Sequence, residues 1–159
     1  KLKKIIDKLK IILSFTELNS AGVKRTLDNF KINLAIHYFN KNDNINILSD
    51  EGLIQSLFQI YKFKLEKKQL KIIEDFLKLL PKFKLIFLLR VDKKNLIIRT
   101  INRKKGFKYQ TNDIDLIFYN FNNITQIIKK ILKKRKIIFY SFNNNKLDDK
   151  YLIDLEKKI

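Results

Sequence analysis

In the opening stretch KLKKIIDKLKIILSF the apolar residues fall at Leu2, Ile5, Ile6, Leu9, Ile12 and Leu13. This three-and-four spacing marks one face of a helix, with lysines filling the other. A helix lying on a membrane surface shares the pattern, but a domain helix with a wet basic face is the commoner outcome. TELNSAG then breaks the period with Asn, Ser and Gly and reads as a loop, and a second helix is expected over 24–39. NKNDN ends it, and the alternation of Ile45, Ile47 and Leu48 predicts a short strand over 45–49 that stops at Asp50.

Helical patterns resume over 53–63 and over 67–80, the second halted by Pro81. The run KLIFLLRV, 84–91, is nearly all apolar and too short for an ordinary helix, as expected of a parallel strand covered on both faces. A helix over 93–105 ends at Gly106, which suits a left-handed cap. A long helix over 113–134 turns Ile117, Phe121, Ile124, Ile128 and Ile131 inward, and KIIFYSF, 136–142, gives another strand. After the loop NNNK, Asp148 or Asp149 opens a closing helix, acids being favoured at helix N-termini.

Strands separated by helices predict an α/β fold, a three-layer parallel sheet with helices on both faces. The 159 residues suffice for a single domain over 1–159 with a true core. No apolar run reaches the ~20 residues needed to cross a bilayer. The opening helix lacks the small-residue cleavage site of a signal peptide, so a cytoplasmic location is expected.

Composition narrows the chemistry. Cysteine is absent, which excludes a disulfide framework, thiolate-held zinc and a thiol nucleophile. His37 is the only histidine, so serine-triad chemistry or a histidine-rich metal site would have to be built around it alone; a structural role at the end of its helix is expected instead. The formal charge of +19 invites a nucleic-acid reading. Of the 35 basic residues, however, only Arg25, Arg90, Arg99, Arg103 and Arg135 are arginines. Lys, Asn, Ile and Phe are inflated together, the residues whose codons are richest in A and T, so base composition accounts for most of the excess.

In an open parallel sheet, ligands bind beyond the carboxyl ends of the strands. Asp50 and Glu51 hold that edge for the first strand, Asp92 for the second and Asn143 for the third. A carboxylate directly after a buried strand needs a cationic partner, and Mg2+ carrying a nucleotide phosphate is one, since hard cations take oxygen ligands. A helix cap would explain Asp50 equally well on its own. The stretch RVDKKNLIIRTINRKKG adds the counterpart: Arg99 and Arg103 are four apart, share a helix face, and carry fork-shaped guanidinium groups suited to phosphate oxygens.

The segments INILSDEGLIQ, LPKFKLIFLLRVDKKNLIIRTINRKKG, NITQIIKKILKKRKIIFYSFN and LDDKYLIDLEKKI, in that order over about 24–159, resemble the P-loop nucleotide kinases, especially the thymidylate-kinase-like group. The resemblance implies a P-loop NTPase-like sheet and an ATP-dependent phosphotransfer to a small-molecule acceptor, with ATP and Mg2+ as cofactors. It implies Asp50 as the residue orienting Mg2+, through water, and Glu51 beside the acceptor as base or positioning group. Arg99 and Arg103 would clamp the transferring phosphate from a lid over about 99–112, with Lys104 or Lys105 nearby. The loop beginning Asn143 and Asn144 would border the adenine. Such catalysis is positioning plus charge neutralisation.

One part of that pattern is missing. The phosphate-cradling G-x-x-x-x-G-K-[ST] occurs nowhere, since the chain has only Gly22, Gly52 and Gly106. Together with the absence of methionine, this leads to the expectation that the chain is the carboxyl-terminal part of a longer kinase-like domain, incomplete at its amino end. The competing expectation is a basic, non-enzymatic module binding nucleic acid, with tyrosines able to stack on bases. The acceptor and the oligomeric state are not legible.

Overall fold

The computed structural model describes residues 2–39, 52–101 and 111–143. In chain order they form α1 (Leu2–Leu13), α2 (Ser20–Phe39), a single 3-10 turn (Gln55–Leu57), α3 (Lys67–Leu79), β1 (Leu85–Arg90), α4 (Lys93–Ile101), α5 (Thr111–Lys134) and β2 (Ile138–Asn143). The fold is a mixed helix and strand α/β arrangement around a small parallel sheet. The expected strand over 45–49 and the closing helix lie outside the described residues, and no helix among the described ones is long and apolar enough to cross a membrane.

Most of the apolar stripe of α1 folds as the sequence predicts, with Ile5, Leu9, Ile12 and Leu13 buried, Ile6 half-buried and Leu2 exposed. They meet Phe30 and Leu34 of α2, Ile73 and Phe76 of α3, and Ile124, Ile128 and Ile131 of α5 in one continuous core. Fully burying one such side chain contributes roughly 1.5–3 kcal/mol, so this cluster is the main source of stability. On the wet side of α3, Lys71 pairs with Asp75 at 3.2 Å and Lys78 with Glu74 at 2.8 Å. The hydrogen bond from Lys78 holds the Glu74 carboxyl below its usual range. Both partners are solvated, so the pairs add little to stability.

Two element boundaries differ from the sequence reading, each for a local reason. Helix α2 begins at Ser20 rather than 24 because Asn19 caps it: the Gly22 N–H donates to Asn19 Oδ1 at 2.8 Å. The expected helix over 53–63 does not form. Leu53, Leu57 and Tyr61 are indeed buried at helical spacing, but after the 3-10 turn the chain straightens. Thr16 and Tyr61 form an antiparallel bridge, fixed by Glu17 N–H to Ile60 O at 2.8 Å and Lys62 N–H to Phe15 O at 2.9 Å. The backbone thus takes its partners from the loop after α1 instead of from its own preceding turn. The Tyr61 hydroxyl donates to Leu57 O at 2.7 Å, and burial pushes its phenol far above the ordinary range.

Strands β1 and β2 pair in parallel, Leu85 opposite Ile138 through Arg90 opposite Asn143, with α4 and α5 carrying the crossover that a parallel connection requires. Ile86, Leu88 and Phe139 face the core. On the other face Phe87 stacks on Tyr140, their rings 6.0 Å apart and 22° from coplanar, beside buried Phe142. That face is only partly covered, since Leu89 is 67% and Ile138 60% exposed. Of β1 only Leu88, on the core face, is buried, so the expectation of a strand covered on both faces is not met.

Two polar features hold these parts in place. Asn120, fully buried on α5, accepts the Leu65 N–H at 2.9 Å and donates to Phe63 O at 3.0 Å. At the end of α5, Lys136 adopts φ 53°, while Ile137 N–H returns to Leu132 O at 3.0 Å and Lys136 N–H to Lys133 O at 3.1 Å. This is a Schellman closure with lysine in the position usually taken by glycine. Arg135 Nη1 meanwhile donates to Leu77 O at 3.3 Å, satisfying a carbonyl near the end of α3.

Asn120→Leu should therefore lower unfolding stability by about 2–3 kcal/mol, because it strands the buried Leu65 N–H; a denaturant midpoint unchanged from the parent would refute the clamp. Lys136→Gly should raise stability by roughly 1 kcal/mol by relieving the left-handed backbone, less the entropy glycine adds to the unfolded chain. Thermal unfolding measures that gain, and a lowered midpoint would count against it.

Candidate functional site

The described residues contain one well-formed polar hollow, a cleft of about 380 Å³ between α2 and the segment 52–59. Helix α2 brings Arg25, Asn29 and Asn33, whose spacing of four sets them along one line, with Thr26 and Phe30 beside them. The facing wall carries Gly52, Gln55, Ser56 and Gln59, and Leu18 closes one end. Buried Leu53 and Leu57 peg this wall into the core, so Gln55 and Gln59 turn toward the cleft. Hydrogen bonds from Gln55 N–H to Gly52 O at 2.9 Å and from Phe58 N–H to Gln55 O at 3.0 Å set the bend.

Two hydroxyls in the cleft have already committed their protons. Ser56 Oγ donates to Leu53 O at 2.8 Å, and Thr26 Oγ1 donates to Gly22 O at 3.0 Å. Their remaining capacity is as acceptors. Asn33 Nδ2 donates to Asn29 O at 3.0 Å. The two walls, the segment before Asn44 and the one after Gly52, are those from which the kinase resemblance would build an acceptor pocket, though none of the lining residues was named from the sequence. The missed signal was the carboxamide spacing, 29 to 33 and 55 to 59, which the inflated Asn content of the chain disguised.

A second group of charges gathers around the carboxyl end of β1. Arg90 ends the strand opposite Asn143 of β2. Asp92 caps α4: its Oδ1 accepts the Asn95 N–H at 2.8 Å, and its Oδ2 accepts Asn95 Nδ2 at 3.1 Å. Lys93 pairs with Asp115, tying the start of α4 to α5. Burial lowers the Lys129 pKa, and the positive charges of Arg90 and Lys133 lower it further. Lys129 therefore lies near both of these cations.

Of the residues expected from the sequence, Arg99 lies on α4 and Asn143 ends β2. Asp50, Glu51, Arg103, Lys104 and Asn144 lie outside the described residues, as does most of the expected lid. His37 stands at the end of α2 with its ring 6.0 Å from Phe83 and 5.9 Å from Tyr38, contacts that belong to packing. Among the described residues no three His, Asp or Glu side chains gather as a metal site, and the residue expected on the Mg2+ side, Asp50, is not one of them. Compared with known protein families, with curated proteins and with solved structures, the chain matches none.

Proposed function

We propose that the chain contributes the acceptor side and lid of an ATP- and Mg2+-dependent phosphotransferase built on a three-layer, P-loop nucleotide-kinase-like sheet. The observation that carries the reading is the parallel register of β1 and β2 across α4 and α5. It sets Asn143 beside Arg90 at the carboxyl edge and starts the helix bearing Arg99 from that same edge, where such sheets bind ligands. In this reading Asp50 orients the metal through water and Glu51 serves beside the acceptor as base or positioning group. Arg99 and Arg103 neutralise the transferring phosphoryl group, Lys104 assists them, and Asn143 and Asn144 border the nucleotide. The glycine loop that cradles phosphates is not among these 159 residues, so the reading requires it to be supplied from outside them.

A second reading has one observation of its own. Lys82, Lys84 and Lys136 surround Phe83 and Ile138 in a hollow of about 390 Å³ at the amino-terminal end of the strands. A basic rim around apolar surface suits a nucleic-acid backbone.

Transfer of labelled phosphate from Mg-ATP to a panel of hydroxyl-bearing acceptors, by the protein encoded together with the reading frame ahead of Lys1, separates the two. Activity should require Mg2+ and fall roughly 100-fold or more in Arg99→Ala and in Arg103→Ala, as for loss of one charge-stabilising donor. No transfer to any acceptor, with single-stranded nucleic acid bound instead and released steeply by salt, would replace the first reading with the second.

A further inference from the structure

The lining of the α2 cleft is out of character with the chain that builds it. Among 159 residues 30 are lysine, yet none of the ten described residues that line the cleft is lysine, aspartate or glutamate. Two of the five glutamines of the chain and one of its five arginines are there instead. Arg25, Asn29 and Gln55 are exposed, Gln59 and Thr26 are half-buried, and Ser56 is buried.

Hydrogen-bond capacity then selects the ligand. Ser56 and Thr26 have donated their protons to backbone carbonyls, so each offers only lone pairs to the cleft. A phosphate or carboxylate has only acceptors and would meet those oxygens without a shared proton. The carboxamides of Asn29, Gln55 and Gln59 take no hydrogen-bond partner among the described residues, and each presents both donors and an acceptor. A sugar hydroxyl, which donates and accepts at once, satisfies both kinds of wall. Phe30 and Leu18 add an apolar strip for a ring face. The volume of about 380 Å³ lies at the small end of ligand pockets, which fits a single sugar or nucleoside.

We infer that this cleft binds an uncharged, hydroxyl-rich molecule of monosaccharide or nucleoside size through the carboxamides of Asn29, Gln55 and Gln59. Its role as phosphoryl acceptor rests on the proposed phosphotransferase reading, but its binding does not. Arg25 at the rim is not needed to hold it.

The test is equilibrium binding without ATP or Mg2+, by ligand-observed NMR and calorimetry, with D-glucose, D-ribose, adenosine, uridine and the monophosphate of each. At least one uncharged compound should bind, sugars alone or nucleosides alone identifying which source carries the hydroxyls. Affinity should be insensitive to salt between 0.05 and 0.3 M, a test value chosen around the screening range of exposed charges. Gln59→Leu and Asn29→Leu should each weaken it roughly three- to tenfold, the size of one hydrogen bond. Gln59→Glu, which keeps the shape and exchanges the donor for charge, controls for folding and should weaken binding to the same degree with an unaltered thermal midpoint. Binding confined to the monophosphates and abolished by Arg25→Ala, or no binding by any compound, overturns the inference. Binding of an uncharged compound without phosphate transfer upholds it and removes the phosphotransferase reading. Transfer to a monophosphate acceptor does the reverse.

Discussion

The side chain of Asn120 is the constraint on which the arrangement around it rests. It enters a core that is mostly aliphatic and aromatic, and it holds both Phe63 O and Leu65 N–H from the loop in front of α3. A carboxamide can do this because it offers a donor and an acceptor on one rigid plane, and inside the core the alternative to pairing is an unsatisfied polar group. The link is long-range, joining α5 to a loop made more than fifty residues earlier. Through that loop it sets the path of the chain from the Thr16 and Tyr61 bridge to the start of α3. The wall of the cleft, Gly52 to Gln59, is continuous with that path. A side chain far from the cleft therefore fixes one of its two sides.

The sheet is held differently. Backbone pairing gives β1 and β2 their register, and the Phe87, Tyr140 and Phe142 rings reinforce it on one face, while Ile86, Leu88 and Phe139 anchor the other in the core. Asp92 and the Lys93 pair then start α4 from the carboxyl edge of the strand. The helical half makes the polar cleft, and the carboxyl edge of the strands carries Arg90 and starts α4.

Where the sequence reading succeeded, a strong period or a hard stop was present. The stripe of α1, the halt of α3 before Pro81 and the two apolar strands are all cases in which burial or backbone chemistry leaves one outcome. It failed where periodicity was satisfied by something else. Leu53, Leu57 and Tyr61 are spaced for a helix and are buried, but burial of every fourth residue is also met by a turn followed by an extended segment that borrows hydrogen bonds from another loop. Asn19 and Asn120 show a second limit, since one caps a helix and the other clamps a core, and neither role is visible in a chain crowded with Asn. The residues lining the cleft were hidden for the same reason. The two strands themselves were legible because each is a short apolar run between polar stretches.

The register of the sheet also has a meaning in time. Leu85 pairs with Ile138, so among the described residues β1 has no parallel partner until α4 and α5 have been made. At roughly 5–20 residues per second this is a delay of several seconds during synthesis. A bare LIFLLR segment is the kind of sequence that pairs with other chains when left exposed. It is bracketed by Lys82, Lys84 and Arg90, and charges flanking an apolar strand discourage such encounters. Lysines that look like a by-product of base composition thus guard the interval between making a strand and pairing it.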